Sequence, residues 1–83
     1  MIIYSPQQLA ILASSKRKNM GLTQANVADK VGLQQKTISA FENNPERVML
    51  STALLILSAL DLDLELENKK ALNKQDKLWT QEW

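Results

Sequence analysis

Neither cysteine nor histidine occurs anywhere in the 83 residues. Without Cys there is no disulfide, no thiolate zinc site and no cysteine nucleophile. Without His there is no imidazole base and no usual metal ligand. Together these absences exclude the Ser-His-Asp, Cys-His, HExxH and zinc-finger classes, and no metal or cofactor is expected. Aromatics are scarce, with two Trp, one Tyr and one Phe. Long apolar runs are missing too. The longest, Met49 to Leu60, includes Ser51, Thr52 and Ser58 and falls short of the about 20 residues a bilayer span needs. The start, Met1-Ile2-Ile3-Tyr4, has no basic n-region and no h-region, so a cytoplasmic protein is expected.

What remains is one small domain. A chain this size buries only about 60–65 % of its unfolded surface, so its core is thin. Of the usual supports of a small domain, only a partner chain stays open. Hydrophobic residues at 45% and charged residues at 23% fit a folded domain, so most of the chain is not disordered. Charge is uneven along it. Residues 1–60 carry six Lys/Arg and three acids, which is +3, whereas residues 61–83 carry four Lys and six acids, which is −2. A basic front and an acidic back suggest an anionic partner at one end.

Boundary signals divide the front into helices. Ser5 is a good N-cap, Pro6 suits the first helical position, and Gln8 completes a capping box. Tyr4 and Leu9 are spaced as a hydrophobic staple. Leu9, Leu12 and Ala13 form an apolar face, and Gly21 suits the left-handed stop. Thr23 caps a second helix that carries Val27, Ala28 and Val31 on one stripe and ends at Gly32. A third helix, roughly Gln35 to Asn43, points Ile38 and Phe41 inward and stops at Asn43-Asn44-Pro45. A fourth runs from about Ser51 to Leu60, capped by Ser51 or by residues just before it. Its apolar residues go nearly all round, including Leu54 and Leu57. Such a helix is buried on more than one side, and the second side fits another copy of the chain.

The pattern then changes period. Asp61-Leu62-Asp63-Leu64-Glu65-Leu66-Glu67 alternates acid and Leu, which predicts a strand with one charged face. Pairing with the same segment of a second subunit would cover its edge. Residues 68–83 read as a mobile tail. The expected layout is a DNA-binding unit over 1–60, a dimerisation strand over 61–67 and a flexible tail over 68–83.

A helix, a short turn with Gly and a second helix make the helix-turn-helix plan, in which the second helix enters the DNA major groove. With Ile38 and Phe41 inward, Gln35, Lys36 and Ser39 face out. Gln can pair with adenine, Lys can donate to guanine, and Ser can bond either. Gln34 sits at the start of the same helix. Thr37, Asn43 and the N-terminus of the second helix around Gln24 are candidates for phosphate contacts. The bland alternative is a solvated polar face. The preceding helix, the Gly turn and the basic front half weigh against it.

Leu22-Thr23-Gln24, Val27-Ala28, Val31-Gly32, Ile38-Ser39 and Phe41-Glu42-Asn43 resemble the Xre/Cro-type helix-turn-helix family of phage repressors. The resemblance implies a mainly α, lambda-repressor-like domain of four to five helices. It also implies that Arg17 pairs with Glu42. Ile3-Tyr4-Ser5-Pro6, Gln8-Leu9-Ala10, Thr37-Ile38-Ser39, Phe41-Glu42-Asn43-Asn44-Pro45 and the final Glu82-Trp83 resemble the HipB-like antitoxins. That likeness implies a homodimer with a short β-strand pairing across it, which represses its own operon; a two-fold dimer is expected to read a palindromic operator, on the nucleoid. It further implies a HipA-type serine/threonine kinase toxin as partner, with the last Trp docking on the kinase.

Both Trp, Trp79 and Trp83, fall in the last five residues, spaced to share a face if helical. Trp is a favoured interface anchor. The competing readings are that the indoles cap this chain's own core, or that the tail is disordered. A plain Xre-type repressor without a kinase partner is the second functional reading. An enzyme is the third. Its best case is Mg²⁺ on Asp61, Asp63, Glu65 and Glu67, but like charges in a row are usually just solvated.

Overall fold

The computed structural model describes residues 2–69. Four helices follow in order: α1 (Pro6–Asn19), α2 (Gln24–Val31), α3 (Gln35–Asn43) and α4 (Leu50–Ala59), with a 3-10 turn at Pro45–Arg47 before the last. The fold is mainly α. α3 packs against both α2 and α1, and α2 packs against α4. Among the described residues no helix is long and apolar enough to cross a membrane.

Local chemistry sets the boundaries. The Ser5 hydroxyl accepts from the Gln8 N–H at 3.2 Å, and the Gln8 side chain accepts from the Tyr4 N–H. Ser5 thus caps α1, with Pro6 placed where no N–H is needed, but the expected capping box does not close, because Gln8 takes the N–H of Tyr4 and not that of Ser5. The staple is a correction: Tyr4 is 79% exposed, so it does not cover Leu9. α1 ends where Gly21 turns left-handed at φ 71°. The Gly21 N–H then donates to the Lys18 carbonyl and the Leu22 N–H to the Arg17 carbonyl, closing a Schellman motif. Gly32 ends α2 the same way at φ 70°, with the Leu33 N–H donating to the Ala28 carbonyl. The third such end has no glycine. Asp61 takes φ 57° after α4, and the Leu62 N–H donates to the Leu57 carbonyl.

The core is built from small residues around a few large ones. Val27, Ile38, Phe41, Ile56 and Leu60 are the largest fully buried side chains. Ala10, Ala13, Ala28, Ala53 and Ala59 are buried as well, and they let the helix backbones come close. Leu54 departs from its expected place in the core: it is 40% exposed, while Ile56 and Leu60 are buried in its stead. A helix apolar all round gives periodicity no preferred face, so the contact with α2 decides. α4 also starts at Leu50, one residue earlier than expected, and no side chain caps it, Ser51 included.

Leu62 packs on the core, but residues 62–69 form neither helix nor strand in the single chain. Leu64 and Leu66 are exposed. A strand drawn from 61–67 needs an edge to pair with, and no strand occurs among the described residues. The expectations for 70–83, including Trp79 and Trp83, lie outside the described residues.

Candidate nucleic-acid interface

α3 buries Ile38 and Phe41, each 1% exposed, and this fixes which side of the helix faces out. Gln34, Gln35, Lys36 and Asn43 are exposed, and Thr37 and Ser39 are half-buried. Helical spacing puts Lys36, Ser39 and Asn43 on the side across from Ile38 and Phe41, with Gln35 at its edge. Ala40, absent from the candidates, is exposed on the same side. An Ala has no polar atom to flag it, yet its methyl can meet a thymine methyl. Gln34 makes no side-chain cap, so the start of α3 keeps backbone N–H groups for an outside acceptor.

The start of α2 is similarly open. Thr23 and Asn26 form a closed box: the Thr23 hydroxyl accepts from the Asn26 N–H at 3.0 Å, and Asn26 Oδ1 accepts from the Thr23 N–H at 2.9 Å. The box satisfies the cap and third-position donors. The Gln24 and Ala25 N–H groups have no protein acceptor among the described residues. Two free donors on a helix N-terminus suit a phosphate oxygen.

A charged cluster ties the start of α2 and the last turn of α3 to α1. Arg17 Nε donates to Glu42 Oε2 at 2.8 Å and Arg17 Nη2 to Glu42 Oε1 at 3.2 Å. Arg17 Nη1 also donates to the Leu22 carbonyl at 2.9 Å, which holds the turn before α2. Gln24 Nε2 donates to Glu42 Oε1 at 3.1 Å. The side chains of Arg17 and Glu42 are each only 12% exposed, so this is more than a surface pair. Burial raises the Glu42 pKa. Hydrogen bonds from Arg17 and Gln24, the Arg17 charge and a hydrogen bond from Ser14 outweigh it and hold the carboxyl below its ordinary value.

The candidate residues thus fall into two groups. Gln34, Gln35, Lys36, Thr37, Ser39 and Asn43 share α3, whereas Gln24 is drawn into the clamp by its side chain and offers its backbone outward. Arg47, in the turn just after α3, is an exposed cation without an ion pair among the described residues. Its position after a Pro stop was the only signal for it. Among the described residues no cluster of acids could hold a metal ion.

A family model described as helix-turn-helix matches residues 14–66. The chain is 43% identical to Antitoxin HipB of Escherichia coli O6:H1 over 93% of its own length and 87% of that protein. It is 46% identical to Antitoxin HipB of Escherichia coli K12 over 82% of its own length and 77% of that protein. A solved structure of a HipA-HipB-O2-O3 complex contains a chain that superposes with a TM-score of 0.81 at 44% identity, over 84% of this chain and 99% of that one. A HipB-O4 20mer complex superposes with a TM-score of 0.80 at 44% identity over the same shares. With a family match across all of α2, α3 and α4 and relatives of this identity along most of its length, the chain belongs to the helix-turn-helix family, among the HipB antitoxins.

Proposed function

We propose that this protein is the DNA-binding antitoxin of a toxin–antitoxin pair, which represses its own operon and neutralises a HipA-type serine/threonine kinase. It is a binding protein and no enzyme; catalysis belongs to the kinase. The observation that carries the DNA half is α3. Its start is uncapped, Gln35, Lys36 and Ser39 stand away from the core, and the Arg17–Glu42 clamp sets its angle. The relatives' complexes with HipA and with an O4 20mer support both halves.

Gln35, Lys36 and Ser39 read base edges, and Gln34, Thr37 and the N–H groups at Gln24 hold phosphates. Asn43 works at the same face. The protein acts in the cytoplasm, on the nucleoid. It acts as a homodimer on a palindromic operator, over the division 1–60, 61–67 and 68–83 set out above. Leu50, Leu54 and Leu55 on α4, all exposed, together with Leu64 and Leu66, supply apolar surface for the second copy. Two-fold symmetry spaces two recognition helices about 34 Å apart along the duplex. The strand over 61–67 pairs with its counterpart, and Trp79 and Trp83 anchor the kinase.

Co-purification with the kinase tests the antitoxin half. The full chain should retain the kinase, and removing Trp83 should weaken the complex about thirty-fold, the effect of a hot spot of about 2 kcal/mol. A lower melting temperature with unchanged kinase binding would assign the indoles to this chain's own core. No kinase retained by the full chain would leave a plain repressor.

A further inference from the structure

We infer that Ala40 is a specificity-determining residue of the DNA site, whose methyl group packs on the C5 methyl of one thymine in each half-site; this rests on α3 being the recognition helix. Ala40 is exposed, between the half-buried Ser39 and the buried Phe41. At about 100° per residue, Lys36 and Asn43 share the line farthest from the core, with Ala40 about 50° to one side of it and Ser39 about 50° to the other. Gln35, Lys36, Ser39 and Asn43 all carry polar groups, so Ala40 is the single apolar side chain on the outward side of α3.

The surroundings of Ala40 leave its methyl open. The Asn43 amide nitrogen donates to the Ser39 carbonyl oxygen at 2.9 Å and to the Ser39 hydroxyl oxygen at 3.1 Å, which draws that side chain to the far side of the line from Ala40. Glu42, the one acid of α3, is held by Arg17 and Gln24 and brings no charge to this side. The second half of the outward side is therefore short and uncharged. It offers a hydroxyl, a methyl and an amide folded back on its own helix. Short side chains let the helix backbone approach the base edges closely, as a carbon–carbon contact at about 3.5–4.0 Å requires of an alanine.

Thymine is the base that fits. In the major groove adenine, guanine and cytosine are told apart by hydrogen-bond donors and acceptors, and a methyl pressed on one of these removes its water and returns no bond. The thymine C5 methyl is the apolar group of that groove. Against it, the Ala40 methyl buries carbon on carbon and leaves no polar atom unpaired. This selection is separate from the polar contacts proposed for Gln35, Lys36 and Ser39, because it needs no hydrogen bond.

Replacing thymine by deoxyuridine removes the C5 methyl and leaves O4 and the pairing with adenine in place. Binding of wild type and Ala40→Gly is measured on the duplex upstream of the protein's own gene, on the same duplex with each thymine replaced singly, and on a random duplex, at one salt concentration. Wild type should lose about fourfold at one thymine in each half-site, the effect of one methyl group at about 0.8 kcal/mol. Ala40→Gly should bind the parent duplex and that deoxyuridine duplex equally, with the ratios at every other thymine unchanged. Glycine also weakens the helix, and comparing two duplexes within one protein cancels that loss. A wild type indifferent to deoxyuridine at every thymine would overturn the inference, and this result needs no variant to fold. An Ala40→Gly protein that keeps the fourfold ratio at the same thymine would overturn it too. Equal wild-type affinity for the upstream and random duplexes would instead overturn the recognition-helix reading itself.

Discussion

Arg17 and Glu42, 25 residues apart, meet through two hydrogen bonds of 2.8 and 3.2 Å that join α1 to the last turn of α3. The same guanidinium holds the Leu22 carbonyl, and the same carboxylate accepts from Gln24. One partly buried pair therefore controls the turn before α2, the start of α2 and the angle of α3. In a domain this small, those are the parts proposed to meet DNA, and the pair holds them at a fixed spacing.

Removing one partner should cost more than removing both. Arg17→Met leaves the partly buried Glu42 carboxylate without its counter-charge, for which about 2 kcal/mol, less than for a fully buried pair, is expected. At about 4–8 °C per kcal/mol in a domain of this size, the melting temperature should fall by about 8–16 °C. The Arg17→Met/Glu42→Leu double variant should recover part of that loss. Thermal melts of the three proteins check this, and additive losses would show that the pair does not act as a unit.

The pair should also shape the acid limb of stability. The Glu42 pKa lies lower in the folded state than its ordinary value of 4.5, so below that value the unfolded chain binds more protons. The pair's contribution is then full above about pH 4.5 and is lost as pH falls through the lower, folded value. Urea melts between about pH 3 and 6 should show stability rising with pH, and Glu42→Gln should flatten part of that rise.

Three helix ends use the left-handed conformation, two at Gly and one at Asp61. A Cβ added at Gly21 or Gly32 meets nothing within 4 Å, so an Ala there is penalised by its backbone alone. Gly32→Ala should cost about 1 kcal/mol, and Asp61→Gly should be neutral or stabilise by up to about 1 kcal/mol. Denaturant midpoints at unchanged m-value decide it, and equal losses at both sites would contradict the assignment.

Leu54 should be required for the dimer and dispensable for the monomer. Leu54→Glu places a charge on exposed apolar surface of α4, away from the buried Ile56 and Leu57. Sedimentation at micromolar concentration should show a folded monomer, with helical circular dichroism retained. A dimer that survives the substitution would move the interface elsewhere.

The helices and the outward side of α3 were legible because their signals are local. Ser5, Gln8, Thr23 and Gly32 act within one turn of themselves, and Ile38 with Phe41 is enough to orient α3. What was not legible depends on partners distant in sequence. The buried face of α4 is chosen by its neighbours, because Leu54, Leu55, Ile56 and Leu57 are equally apolar. The Gln24 side chain is claimed by Glu42, 18 residues on, and residue spacing could not show this. The alternation over 61–67 predicts a strand, but residues 62–69 form neither helix nor strand, because period alone supplies no edge to pair with. Asn43 and Ser39 were each noticed, but the amide that joins them became visible only in three dimensions.

The central claim, that α3 reads an operator, is tested most directly at Lys36. Fluorescence anisotropy should be recorded for wild type and Lys36→Ala on the duplex upstream of the protein's own gene and on a random duplex, at one salt concentration. Wild type should bind the upstream duplex at least about a thousandfold more tightly than the random one. Lys36→Ala should lose about 1–3 kcal/mol per half-site on the upstream duplex, with a far smaller loss on the random one. Equal affinity of the wild type for both duplexes, or an untouched upstream affinity in Lys36→Ala, would contradict the account.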